Sequence, residues 1–192
     1  MKATVDDNAT IGGGHRQGTR RPRILIAIAL ILCSGCLGYP QTVAPVTGFE
    51  LGRYLGKWYE IARLDHSFER GLEHVTAEYT LREDGGVRVI NRGYDTRQDR
   101  WKTAEGRAYF VESPDTGYLK VSFFGPFYGS YVVFEVDPKD YRYAFVSGPD
   151  HSYLWLLSRT PEIDAALLAR FVKTARQKGF DPDQLIYVNQ EP

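Results

Sequence analysis

Cysteine is almost absent from this chain, and its scarcity limits how the fold can be stabilised. Only two of the 192 residues are cysteines, Cys33 and Cys36. Both lie in or next to an N-terminal stretch typical of an export signal. If Cys36 is modified, the domain after it has no free cysteine and no disulfide, so its core alone must hold it together.

The chain also lacks an apolar run long enough to cross a membrane as a helix. Its apolar stretch at 24–33 is shorter than the roughly 20 residues that a spanning helix needs. Arg20, Arg21 and Arg23 precede the stretch and small residues follow it, which is typical of a secretory signal. We therefore expect residues 1–35 to be an export segment, with 1–19 either a real extension or the result of a misplaced start.

A surplus of basic residues is missing as well. The chain has 24 basic and 24 acidic residues, and five of the former but only two of the latter precede Cys36, which leaves a net charge near −3 from Cys36 onward. A mildly acidic domain without basic blocks argues against nucleic acid as a partner.

Cys36 follows Ser34 and Gly35 at the end of the apolar run. This order resembles a bacterial lipobox, which implies that Cys36 is lipidated and becomes the mature N-terminus. Cys33 departs from that pattern, which prefers leucine at its position. Leu37 is not the aspartate that favours inner-membrane retention, so the expected location is the outer membrane, with the domain facing the periplasm. The alternative is an unmodified cysteine outside the fold.

Residues 36–48 are rich in proline, glycine and small polar residues, and we expect a tether there, followed by one domain over 49–192. Short segments with strand-like alternation follow at regular spacing, separated by turn sequences. This pattern is typical of an antiparallel barrel or sandwich. The predicted strands are 58–64, 74–82, 87–95, 102–111, 118–124, 131–136, 143–147 and 153–159.

One helix is predicted after the last of these strands. Thr160 is its expected cap, Pro161 its first residue and Gly179 its end. An apolar stripe with a spacing of four is expected to pack on the barrel wall, and a short strand at 184–188 follows. The stripe consists of Ile163, Leu167, Phe171 and Ala175.

Gly56 and Trp58 begin the first strand, and Arg159 ends the last one. Glycine allows a sharp turn into the strand, tryptophan needs burial, and a guanidinium plane can stack on an indole. The segments 56–60, 139–141 and 158–161 resemble, in order, the three signatures of the lipocalin family. Longer stretches at 59–63, 68–72, 123–129 and 153–155 are similar to the bacterial outer-membrane lipoproteins of that family.

The resemblance implies an all-β fold: an eight-stranded antiparallel up-and-down barrel with one C-terminal α-helix. Gly56, Trp58 and Arg159 would close one end, and the connection 65–73 would cover the mouth. If Trp58 points inward, alternation and the family pattern predict which side chains face a ligand. They are Glu60, Ala62, Ala77, Tyr79, Val89, Asn91, Ala104, Ala108, Phe110, Val121, Phe123, Tyr131, Val133, Phe145 and Trp155.

This predicted lining is aromatic and small-apolar, with Glu60 and Asn91 as its polar members. Alanines, together with Gly106, leave room for an acyl chain. A buried Glu60 requires a partner: a tyrosine hydroxyl, a water or an arginine. A fully packed interior is the alternative.

Catalytic and metal chemistry have little support in the sequence. The runs 65–67 and 150–152 each place Asp, His and Ser next to one another, and sequence neighbours cannot form a triad. The four histidines lack zinc-ligand spacing, so no metal and no cofactor are expected.

We therefore expect a membrane-anchored protein that binds a fatty acid or lysophospholipid for lipid storage, transport or membrane maintenance. Arg63 and Arg70 at the rim could favour an anionic head group or be plain surface charge. Two alternatives are an enzyme that acts on a lipid through Glu60 and a ligand-free structural protein of the envelope. A homodimer is left open.

Overall fold

The computed structural model describes residues 37–191. The predicted export segment and Cys36 lie outside this range. Within it, short strands alternate with tight turns, and one longer helix follows them. In chain order the elements are α1 Leu51–Tyr54, β1 Gly56–Arg63, β2 Leu72–Leu81, β3 Val87–Asp95, β4 Arg100–Phe110, β5 Tyr118–Phe124, β6 Phe127–Val136, β7 Tyr143–Ser147, β8 Leu154–Ser158, α2 Ala165–Gln177, a 3₁₀ turn Pro182–Gln184 and β9 Ile186–Tyr187.

The strands form a closed antiparallel barrel, as predicted. Each of β1 to β7 pairs with the next strand, and β8 pairs with β1, which closes the sheet. Closure removes the free edges that an open sheet would expose. The end that carries α1 and the start of β1 is the closed end, and the loops β1–β2, β3–β4, β5–β6 and β7–β8 surround the mouth.

The buried apolar residues form two clusters on opposite sides of the barrel wall. One lies inside, around Trp58 and Tyr54. The other lies outside, where Phe171 and Ala175 of α2 pack on Phe145. The predicted helix stripe therefore packs on the wall as expected.

Helix α2 begins later than predicted. Asp164, not Thr160, caps it, because the Asp164 carboxylate accepts a hydrogen bond from the Leu167 N–H at 2.6 Å. The Thr160 hydroxyl instead donates to the Glu162 carbonyl, and Pro161 lies before the helix. Gly179 has a φ of +88° and follows the helix end, as expected.

The segment predicted as a tether lies along the barrel wall over most of its length. The Gly38 N–H donates to Ser130 Oγ at 3.0 Å, and Tyr39 packs edge-on against Tyr118 at 5.1 Å between ring centroids. Val43 is buried in the outer cluster. These contacts hold the chain from Gly38 to Val43 against the wall.

The C-terminal segment fills a gap between β1 and β2 near the mouth. These two strands pair only over the first four residues of β1. Beyond that point the Val188 N–H donates to the Ile61 carbonyl at 2.9 Å. The side-chain amide of Gln190 donates to the carbonyls of Glu60 and Val75, at 2.8 and 2.9 Å. The last residues therefore join the two strands where they separate.

Within residues 37–191, no helix combines the length and the apolar character that a membrane span requires.

Candidate functional site

Trp58 and Arg159 close one end of the barrel. The indole is fully buried, and the guanidinium carbon of Arg159 lies 3.8 Å from the ring centroid. Arg159 also donates to the carbonyls of Arg53 and Leu55 at 2.7 and 2.9 Å, and so covers the C-terminal end of α1. Gly56, with a φ of +92°, makes the turn between that helix and the strand.

Above this floor lies an apolar cavity of about 850 Å³, the space open to the mouth included. Its wall combines aromatic rings with alanines and valines. The predicted residues that line it are Glu60, Ala77, Tyr79, Val89, Asn91, Ala108, Val121, Phe123, Tyr131 and Trp155.

Three tyrosine hydroxyls meet at the inner end of the cavity. The Tyr131 hydroxyl lies 2.6 Å from that of Tyr54 and 2.9 Å from that of Tyr79. Burial raises the pKa of all three phenols, so they stay protonated and neutral at physiological pH. The hydroxyls bond one another, and their rings contribute apolar surface to the cavity.

A buried charged cluster lies on one side of the cavity, beneath the β1–β2 loop. Arg63 Nη1 donates to Glu60 Oε1 at 2.6 Å, and Nη2 donates to the Glu69 carbonyl at 2.9 Å. The Glu69 carboxylate accepts from the Trp155 indole at 3.1 Å and lies 2.9 Å from His66 Nε2. Arg63 therefore ties the loop to the barrel while it neutralises the interior carboxylate.

Burial raises the pKa of the Glu60 carboxyl well above its usual range. The neighbouring Glu69 carboxylate raises it further, and Arg63 opposes both effects. The arginine is therefore the group that favours a charged Glu60 in this apolar site.

The β1–β2 loop covers part of the mouth, as the resemblance implied. His66 is buried and stacks on Phe68 at 4.0 Å between ring centroids. Phe68 and Glu69 both line the cavity. Next to this loop the cavity widens toward Ala104, Phe124 and Phe127. Ala104, which was predicted to face the ligand, therefore lies at the mouth and not in the interior.

Two predicted ligand residues, Ala62 and Phe145, point the wrong way. A β-bulge shifts the register of β1 after Glu60, so Ala62 faces α2 and Arg63 takes the inward position. Phe145 packs on Phe171 at 4.9 Å, outside the wall. All five residues of β7 are buried because α2 covers its outer face. The strand therefore lacks the alternation of polar and apolar residues that would indicate which side chains face inward.

Phe110 and Val133 lie inside the barrel but belong to the packed core near the closed end. Gly106 does not leave the expected room, because the Phe123 ring occupies the space where a side chain would lie. Arg63 is not at the rim, since it is buried with Glu60, whereas Arg70 is exposed and pairs with Asp65 at 2.7 Å.

Several lining residues were missed at the sequence level. Phe49, Leu51 and Tyr54 come from the segment before β1, where no alternation marks an inward face. Phe68 and Glu69 come from the loop. The sequence did contain a signal for these two residues. An aromatic side chain next to a glutamate in a loop can cover an apolar mouth while the carboxylate forms a hydrogen bond to the rim.

A family model described as a lipocalin-like domain matches residues 49–190. The chain therefore belongs to the lipocalin family.

Its relatives include bacterial envelope proteins. It is 63% identical over 169 residues to the outer membrane lipoprotein Blc of Vibrio cholerae serotype O1, covering 86% of this chain and 99% of that protein. It is 50% identical over 171 residues to the protein of the same name from Escherichia coli K12, covering 88% and 96%. Among solved structures, insecticyanin from the tobacco hornworm matches with a TM-score of 0.62 at 23% identity, covering 79% of this chain and 86% of that one, which shows the fold alone.

These relatives confirm the predicted location of the chain at the outer membrane, with a lipid anchor. The family and these relatives together identify the chain as a lipid-binding lipoprotein. Lipocalins are binding proteins.

Proposed function

We propose that the barrel holds one single-chain lipid, a fatty acid or a lysophospholipid, for storage, transport or maintenance of membrane lipid. The observation that carries the proposal is an apolar cavity, closed by Trp58 at one end and open at the other. Burial of an acyl chain in such a cavity contributes about 25 cal/mol per Å² of apolar surface.

The polar groups of the cavity lie where a head group would be held. Glu60 lines one side, with Arg63 bonded to its carboxylate, and Asn91 lies where the inner cavity meets the mouth. Among the described residues, Asn91 Oδ1 is buried without a hydrogen-bond partner. It could accept a hydrogen bond from the free glycerol hydroxyl of a lysophospholipid. The acyl chain then extends toward the tyrosines.

Filling the cavity should weaken binding without unfolding the barrel. Ala108→Trp and Ala77→Phe each place a ring where the chain would lie, and we expect affinity for a fluorescent fatty acid to fall about ten-fold or more. Ala169→Trp, on the exposed side of α2, is the matched control. Circular dichroism checks the fold, and unchanged affinity in both folded cavity variants would favour the structural, ligand-free alternative.

We also propose that Cys36 carries the membrane anchor, with diacylglycerol on its sulfur and an acyl group on its new N-terminus. Cys36→Ser should remove the lipid and release the protein from the outer-membrane fraction. Cys33→Leu, three residues away, should leave localisation unchanged. Mass spectrometry of the N-terminal peptide and membrane fractionation measure both effects. Recovery of the Cys36→Ser protein in that fraction at the wild-type level would refute this anchor.

Binding is favoured over catalysis because Glu60, the acid or base that a cavity enzyme would use, is already bonded to Arg63. The contacts of that cluster hold the loop on the barrel.

A further inference from the structure

The mouth of the barrel exposes several aromatic side chains to solvent. Phe124 and Phe127 form the tip of the β5–β6 hairpin, with 81% and 66% of their surfaces exposed, and Phe68 on the β1–β2 loop is 56% exposed. All three border the wide opening. Contiguous exposed apolar groups of this kind mark an interaction surface.

The opposite end has a different character. Its turns contain exposed charged residues such as Glu83, Lys139 and Asp140. Leu81 is the large exposed apolar side chain there, at 61%. Within residues 37–191, therefore, only the mouth end presents several exposed aromatic groups together.

The start of the described chain lies closer to the mouth than to the closed end. Gly38 is bonded to Ser130, which is three residues from the mouth end of β6 and six from its other end. At about 3.3 Å per residue, these separations are roughly 10 and 20 Å. Leu37, which is also exposed, comes directly before this contact, and Cys36 is joined to it.

An anchor at Cys36 therefore has almost no slack. Two peptide units separate the Cα atoms of Cys36 and Gly38, a span of at most about 7.6 Å. If Cys36 is held at a lipid surface, the mouth side of the wall must lie close to that surface, and the β5–β6 hairpin can reach it.

We propose that Phe68, Phe124 and Phe127 dock the mouth of the barrel on the lipid surface that holds the anchor, so that a single-chain lipid passes directly between membrane and cavity. The proposal rests on the anchoring of Cys36 argued above. Aromatic side chains are favoured at a membrane–water interface, where their rings leave bulk water.

The orientation can be measured on lipidated full-length protein in vesicles of phosphatidylethanolamine and phosphatidylglycerol with brominated acyl chains. An environment-sensitive dye is attached at Ser67→Cys on the loop or at Asp140→Cys at the closed end. We expect bromine quenching at Ser67→Cys and little at Asp140→Cys. Equal quenching, or stronger quenching at the closed end, would overturn the proposal.

The aromatic groups are tested by Phe124→Ser combined with Phe127→Ser, with Leu81→Ser as the matched control. The double variant should lose quenching at position 67 and take up a fluorescent lysophospholipid from vesicles about ten-fold more slowly or worse, since two phenylalanines no longer bury their rings. Its affinity for the same lipid free in solution should fall much less than this rate, and uptake by Leu81→Ser should stay at the wild-type value.

Failure of the anchor and failure of the orientation give different results. If Cys36 is not lipidated, the N-terminal peptide of every variant lacks the mass of the lipid, and the protein sediments poorly with vesicles. With lipidation but no docking, sedimentation persists and the double serine variant behaves as wild type. Self-association that depends on the three phenylalanines, without quenching at position 67, would assign them to contact between copies and reject the membrane.

Discussion

Replacing Trp58 with alanine should lower the free energy of unfolding by about 3–5 kcal/mol. The indole is completely buried, and its Nε1–H donates to the Tyr54 carbonyl at 2.8 Å, so the substitution removes a large apolar body and a hydrogen bond together. Urea unfolding followed by circular dichroism measures the effect. Trp101→Ala, at a half-exposed position on the outer wall, should cost about 1 kcal/mol or less.

The stacking of Arg159 on Trp58 predicts that the two substitutions are coupled. Arg159→Ala alone should cost less than Trp58→Ala, but it removes the same contact and also uncovers the end of α1. In a double-mutant cycle the combined loss should therefore be smaller than the sum of the two single losses. Strict additivity would show that the pair does not act as one unit.

Replacing Arg63 with methionine should destabilise the protein by a similar amount, about 3–5 kcal/mol at neutral pH. Methionine keeps the apolar volume but leaves Glu60 buried without its cation, and it frees the loop carbonyls that Arg63 now bonds. Combining it with Glu60→Gln should recover much of the loss, because no uncompensated charge then remains. Arg70→Met, at the exposed ion pair of the same loop, is the control and should have a small effect.

The pH dependence of the Arg63→Met variant gives an independent test. Without the arginine, nothing offsets the effects of burial and of Glu69 that raise the pKa of Glu60. The folded state then binds a proton at Glu60 more tightly than the unfolded state, so the contribution of Glu60 to stability is greatest below its ordinary pKa near 4.5 and falls as pH rises above it. The defect should shrink on acidification, and the double variant should lose this dependence. A defect independent of pH would show that lost packing, not the charge of Glu60, is responsible.

The sequence predicted the barrel because most strands alternate and the turns between them are explicit. It also predicted the Trp58–Arg159 contact, since both residues lie in recognisable signatures. It could not predict the bulge after Glu60, because one extra residue in β1 changes hydrogen bonding without changing composition. Ala62 and Arg63 exchanged faces for that reason, and a candidate rim arginine became the buried partner of Glu60.

The inward or outward orientation of the β7 side chains and the position of the N-terminal segment were not predicted, for a different reason. Both depend on burial by distant parts of the chain: α2 covers Phe145, and the outer wall of β5 and β6 holds Gly38 and Tyr39. The local sequence pattern does not predict contacts between distant parts of the chain. The role of each cavity residue in binding stays a prediction that the substitutions above address.

The join made by Gln190 between β1 and β2 also bears on biogenesis. The residues that complete the wall beside the mouth follow all eight barrel strands in the chain, so they leave the ribosome and cross the inner membrane after those strands. Until they arrive, the upper half of the first strand pairs with β8 but has no partner on its β2 side, and the loop above it is held less firmly. If the barrel holds a lipid as proposed, loading should therefore begin only after the residues around Gln190 have reached the periplasm.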